Sequence, residues 1–179
     1  PQMPREHEVS KALAASLRQR TGVDYDLRGF FFLYGKGLAE REKRSSGPRS
    51  GLGIPVHRRF TRLHLLQMGC YQEGEGVKIA TCVLNYADGQ TRELPILYGE
   101  DVRSDPDYKS TTRATLAWSA PVLRPGRPHR ERRIYQVSFL NPRQSLPVQS
   151  LDLVSAATQV SPVVIAVTVQ STVLMTAMV

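Results

Sequence analysis

The sequence predicts an all-β sandwich of about eight antiparallel strands preceded by a short helix. Three observations carry this. Short apolar runs rich in β-branched residues recur along the chain, and in one of them Val163, Ile165, Val167 and Val169 alternate with less apolar neighbours. The dipeptide Asp88-Gly89 sits between two such runs, where it supplies the positive φ of a hairpin turn. Only one segment has helical spacing, and no ten-residue helical pattern separates the strands, which argues against a parallel α/β fold. The composition, 41% hydrophobic with 12 prolines and 13 glycines, suits a turn-rich globular chain.

The elements follow in order. Residues 1–21 read as a charged lead-in in which Val9, Leu13 and Leu17 share one face of a helix over 9–19, ended by Gly22. The sandwich then occupies 22–171, with 172–179 as a tail. Residues 23–35 supply a strand or two, placing Phe30, Phe31 and Phe32 on both faces. Residues 35–53, polar and rich in Gly and Ser, read as a surface loop. Residues 60–71 and 77–98 hold three strands. With Asp88 and Gly89 as the two turn residues, Val83 faces Leu94 and Thr81 faces Ile96. Ile79, Thr81, Val83, Leu94, Ile96 and Tyr98 then share one face.

Residues 99–111 form an acidic loop. Residues 112–120, with the lone Trp118, form a strand, and 121–132 form a loop rich in Pro and Arg. Residues 133–141 return as a strand stopped by Pro142, which cannot donate to a ladder. Strands at 148–156 and 161–170 finish the sheet, with Val163, Ile165 and Val167 on one buried face.

The net charge of +8 permits an anionic partner such as nucleic acid, lipid head groups or acidic glycan, without choosing among them. Two cysteines make no disulfide framework. If 72–76 closes a hairpin, Cys70 lies near Lys78 and Cys82 near Leu66, out of register for a bridge, so both are expected as free thiols. The stretch Leu153 to Val179 is uncharged, but Pro162, Gln170 and several hydroxyl residues interrupt it, which disfavours a membrane span. The chain opens on PQMPREHE without an initiating methionine, which reads as a processed or cut fragment, so the lack of a signal peptide is silent on compartment.

No nucleophile elbow, Walker loop or GxGxxG is present, and the sequence gives no support for an enzyme or a cofactor. His64 lies between Leu63 and Leu65 and is a packed histidine by default; with neither CxxC nor HxxxH, no metal site is expected. Glu100, Asp101, Asp105 and Asp107 could hold calcium, but Arg103 and Lys109 among them favour solvated charges. The arginines gather in two loops. Arg124, Arg127, Arg130, Arg132 and Arg133 cluster at one end of the sandwich on a segment stiffened by Pro121, Pro125 and Pro128. Together with Trp118 and His64 they are the candidate binding residues. Trp118, Tyr98, Tyr108 and Tyr135 could stack on a sugar, although strand aromatics more often pack in the core.

DLRG (26–29), IPV (54–56) with RLH (62–64), YADG (86–89), YGEDVR (98–103) and NPR (141–143) occur in an order that resembles galactose-binding-like jelly-roll modules. These are attached to large planctomycete and verrucomicrobial surface and FecR-like proteins. The resemblance covers 22–170. It departs where such modules carry a second histidine near Gln67, a tryptophan near Tyr71 and further tryptophans after Arg103. It implies a jelly-roll fold and a non-catalytic, extracytoplasmic bacterial module whose partner is a glycan or a protein. Two other readings stand beside it: an intracellular binder of nucleic acid or another polyanion, and an assembly domain with no small ligand.

Overall fold

The computed structural model describes residues 6–42, 47–122 and 130–171. Helix α1 (Glu6–Thr21) is followed by β1 (Phe31–Phe32), α2 (Lys36–Glu42), β2 (Ser50–Arg58), β3 (Arg62–Cys70), β4 (Lys78–Tyr86), β5 (Thr91–Leu97), β6 (Thr115–Val122), β7 (Arg130–Leu140), β8 (Val148–Ser155) and β9 (Ser161–Gln170). The strands form a five-stranded sheet, β1-β9-β3-β7-β6, and a four-stranded sheet, β2-β8-β4-β5, with antiparallel pairing throughout. Successive strands keep switching sheets (β3 to β4, β5 to β6, β7 to β8, β8 to β9), which makes the sandwich a jelly roll.

The main core lies between the sheets. Leu63 and Leu65 of β3, Val137 and Phe139 of β7 and Val164 of β9 meet Cys82 and Leu84 of β4, Ile96 of β5, and Leu151 and Leu153 of β8. A second, smaller core lies on the outer face of the five-stranded sheet. There Leu17 of α1, with Val23 and Tyr25 just after it, packs on Leu66, Ala117, Ile134 and Ala166. The helix is longer than its spacing predicts. It stops where expected, because Gly22 takes φ 70° and its N–H donates to the Arg18 carbonyl at 2.8 Å, closing the last turn.

The β4–β5 hairpin corrects the expected register. Its loop has three residues, Ala87, Asp88 and Gly89, not two. The Gly89 N–H donates to the Tyr86 carbonyl at 3.0 Å, the Tyr86 N–H to the Gln90 carbonyl at 2.9 Å, and Gly89 has φ 79°. This is a turn closed by a left-handed glycine bulge. The extra residue slips the pairing by one: Cys82 faces Leu94, Ala80 faces Ile96, and Val83 faces Glu93. A one-residue slip exchanges the faces. Cys82 and Leu84 therefore join Leu94 and Ile96 in the core, while Thr81 and Val83 turn outward. Ile79 stays buried because the register shifts between Lys78 and Ala80.

Three other expectations change. Of 23–35, only Phe31 and Phe32 are strand, since 23–27 instead lies over the outer face, where the Thr168 hydroxyl donates to the Asp24 carbonyl at 3.0 Å. The expected loop 35–53 contains α2 and the start of β2. On β9 a register shift opposite Leu66/Gln67 breaks the alternation, so Val164 and Val167 pack in the main core and Ile165 in the outer one.

Residues 72–76 close no hairpin: β3 and β4 belong to different sheets. Cys70 and Cys82 are free for that reason, rather than through a slipped pairing. Burial pushes the Cys82 thiol up to about 12, with Asp152 adding to the effect. Denaturing, non-reducing alkylation followed by intact-mass measurement is expected to find both cysteines modified, and native alkylation to leave Cys82 untouched. A Cys70–Cys82 bridge would contradict the two-sheet separation.

Candidate functional site

An open groove lies where two neighbouring strands part. β3 pairs with β7 from Arg62↔Leu140 to Gln67↔Tyr135 and no further. Beyond that point the loop after β5 takes β7's place: Gly69 bridges Ser104, and its N–H donates to the Arg103 carbonyl at 3.3 Å. Only glycine fits at 69, because a Cβ there would collide with the Ser104 hydroxyl. That hydroxyl donates to the carbonyl of Tyr71, which has φ 68°. The first residues of β7 continue beside β6 alone.

Side chains alternate along a strand. Ile134 packs in the outer core, so Arg130 and Arg132 emerge on that same outer face, as do Met68 and Cys70 beyond Leu66 on β3. Leu38 and Arg41 of α2, Val122 of β6, and the Asp105–Pro106 pair complete a groove of about 480 Å³. Its floor is largely apolar and its rim carries three guanidinium groups, Arg41, Arg130 and Arg132. All three arginines are exposed, and none forms an ion pair among the described residues. Tyr71 turns its ring against the α2 backbone, where a Cβ on Gly37 would lie 2.7 Å from it.

The loop behind the groove wall is a closed ion-pair network. Arg103, 4% exposed, donates to Glu75 at 2.8 and 2.9 Å, to Asp107 at 2.7 Å and to the Ser110 carbonyl at 2.9 Å. Asp101 is fully buried, accepts the Leu97 N–H at 2.7 Å and pairs with Arg113. Burial pushes its carboxyl up despite that pairing. Arg113 also approaches Glu100 at 3.2 Å. Glu75, Glu100, Asp101 and Asp107 are thus matched by arginine, whereas Asp105 Oδ1 is buried without a partner among the described residues, which contain no group of three or more His, Cys, Asp or Glu arranged for a metal ion.

The residues singled out from sequence fall in different places. Arg130 and Arg132 line the groove. Arg133 points to the other side, donating to Glu131 at 2.8 Å and to the Tyr108 carbonyl at 3.1 Å, with its guanidinium 4.8 Å from the Tyr108 ring. Arg124 and Arg127 lie outside the described residues. Trp118 packs beside the outer core near α1 and is not part of the groove lining. Tyr98 and Tyr135 are buried, and Tyr108 is exposed.

His64 is 4% exposed, on the outer face. Its Nδ1 lies 2.7 Å from the Ser138 hydroxyl and 3.2 Å from Gln136 Nε2, and its Nε2 lies 3.0 Å from Gln170 Oε1. Burial holds its pKa below the usual histidine range, Gln170 opposes this, and Arg62 reinforces it. It is a packed histidine, and the groove lies further along β3.

Met68 was not singled out from sequence, Asp105 was weighed only as part of the acidic loop, and Arg41 was not among the candidate binding residues. Arg41 stood in a basic loop cluster with nothing to say that it sits on a helix. No family model matches the chain, and no curated protein or solved structure matches it. No helix among the described residues is long and apolar enough to cross a membrane.

Proposed function

We propose that the chain is a non-catalytic recognition module that holds an anionic group of a glycan or protein partner in the groove on its five-stranded sheet. One observation carries the reading. Arg103, Arg113, Arg133 and Arg143 all have carboxylate partners, whereas Arg41, Arg130 and Arg132 converge on one groove with none among the described residues. Guanidinium groups gathered at a rim repel one another until an anion joins them, and their forked donors match carboxylate or sulfate oxygens. An extracytoplasmic bacterial setting is the one the galactose-binding-like resemblance implies.

Heparin chromatography tests the reading. The wild-type chain is expected to be retained at moderate salt. The Arg41→Ser/Arg130→Ser/Arg132→Ser variant should keep its far-UV spectrum and elute at distinctly lower salt, since each phosphate-like contact releases counterions. Unchanged elution would remove the groove as the anion site and leave an assembly domain as the better reading.

A further inference from the structure

We infer that the groove's occupant is an acidic, extended peptide segment of a protein partner, with carboxylates two residues apart around an apolar side chain. This rests on the anion-binding reading above and names the partner class. Three features select a peptide over a sugar.

The floor is apolar. Met68, Leu38 and Val122 line the groove and are half-buried where the three arginines are exposed, and a sulfated glycan, polar on every side, would leave them wet. An aliphatic side chain would cover them and gain from its own burial. The groove also lacks an aromatic platform. Tyr71 is the only aromatic residue of the lining, and its ring is committed to the α2 backbone at Gly37. Its hydroxyl and Asp105 Oδ1 are closed to solvent, so neither accepts from sugar hydroxyls.

The rim has the spacing of a strand. Arg130 and Arg132 lie two residues apart on β7 and point the same way, roughly 7 Å apart at the strand repeat. Carboxylates at alternate positions of an extended peptide have that same repeat, with the residue between them turned the other way. A Glu-Leu-Glu segment running along β7, with one face to Arg130 and Arg132 and the other to Leu38 of α2 and Met68 of β3, sets two carboxylates against two guanidiniums and leaves the leucine for the apolar lining.

The experiment uses fluorescein-labelled Gly-Glu-Leu-Glu-Gly and Gly-Glu-Ser-Glu-Gly peptides, equal in charge, titrated by anisotropy. The leucine peptide is expected to bind about tenfold tighter. Arg130→Ser/Arg132→Ser should weaken both peptides. Met68→Ser should erase the leucine advantage while leaving the serine peptide's affinity unchanged. Circular dichroism checks that each variant is folded.

Equal affinity for the two peptides overturns the inference, and so does a heparin tetrasaccharide that displaces the leucine peptide more effectively than the unlabelled peptide itself. If heparin retention still falls in the arginine variants, the anion-binding reading survives that result. If neither peptide nor heparin binds, both fall together.

Discussion

Arg103→Leu is expected to lose about 3–5 kcal/mol of stability in urea unfolding, the usual cost of removing one partner from a buried ion pair. The reason lies in what stays behind. Among the described residues Arg103 alone joins Glu75, Asp107 and the Ser110 carbonyl, with exposed Lys109 reaching Glu75 only at 3.6 Å, and its guanidinium lies 5.9 Å from the Tyr98 ring. The Asp107 side chain, 12% exposed, would keep only a long bond from the Tyr98 hydroxyl, 3.2 Å, and its turn contacts. Leucine fills much of the space and satisfies none of these acceptors.

Glu75 is the control. Its side chain is 56% exposed, so Glu75→Gln should cost far less than Arg103→Leu, as solvent-screened pairs do. The pH dependence has a definite sign. Burial pushes the Asp107 carboxyl up, but Arg103, the Lys109 N–H and the Tyr98 hydroxyl together outweigh it and hold the group below the usual aspartate value. A depressed carboxyl adds stability that is complete above its unfolded pKa, about 4, and is lost as pH falls through the folded value. The wild-type chain should therefore lose stability below about pH 4 more steeply than Arg103→Leu does. A loss under about 1 kcal/mol in Arg103→Leu would show the network to be decorative.

Legibility in the sequence followed the range of the interactions. Strands such as Thr91–Leu97 and Val148–Ser155 were readable because burial on one face imposes a period of two on neighbouring residues. The register of the β4–β5 hairpin was not, because Asp-Gly serves both a two-residue turn and a three-residue turn with a glycine bulge. The sequence at 86–90 does not separate them. Helix α2 went unseen because Lys36–Glu42 is only two turns long, too short to show a period, and carries a glycine. The groove was least legible of all. It exists because the loop at 102–104 displaces β7 from β3, an event among segments far apart in sequence. Arg130 and Arg132 were visible as part of a basic run; their separation from Arg133, by strand alternation alone, was not visible until β7 was seen to begin at Arg130.

The corrected register separates two adjacent residues sharply. Leu84→Lys is expected to abolish folding or cost well over 3 kcal/mol, and Val83→Lys to cost less than about 1 kcal/mol. Leu84 is fully buried in the main core with Ile96 and Leu151, among residues that offer an ammonium group neither counter-charge nor water. Val83 is half-buried on the outer face of the four-stranded sheet, directly opposite Glu93 on β5 and Asp152 on β8. A lysine there lies between two carboxylates and can extend its ammonium into solvent. A two-residue Asp88-Gly89 turn would reverse the order, with Val83 inside and Leu84 outside. Urea unfolding of the two variants decides between the turns. A Val83→Lys chain that fails to fold beside a stable Leu84→Lys chain would restore the two-residue turn and turn β4 over against its neighbours.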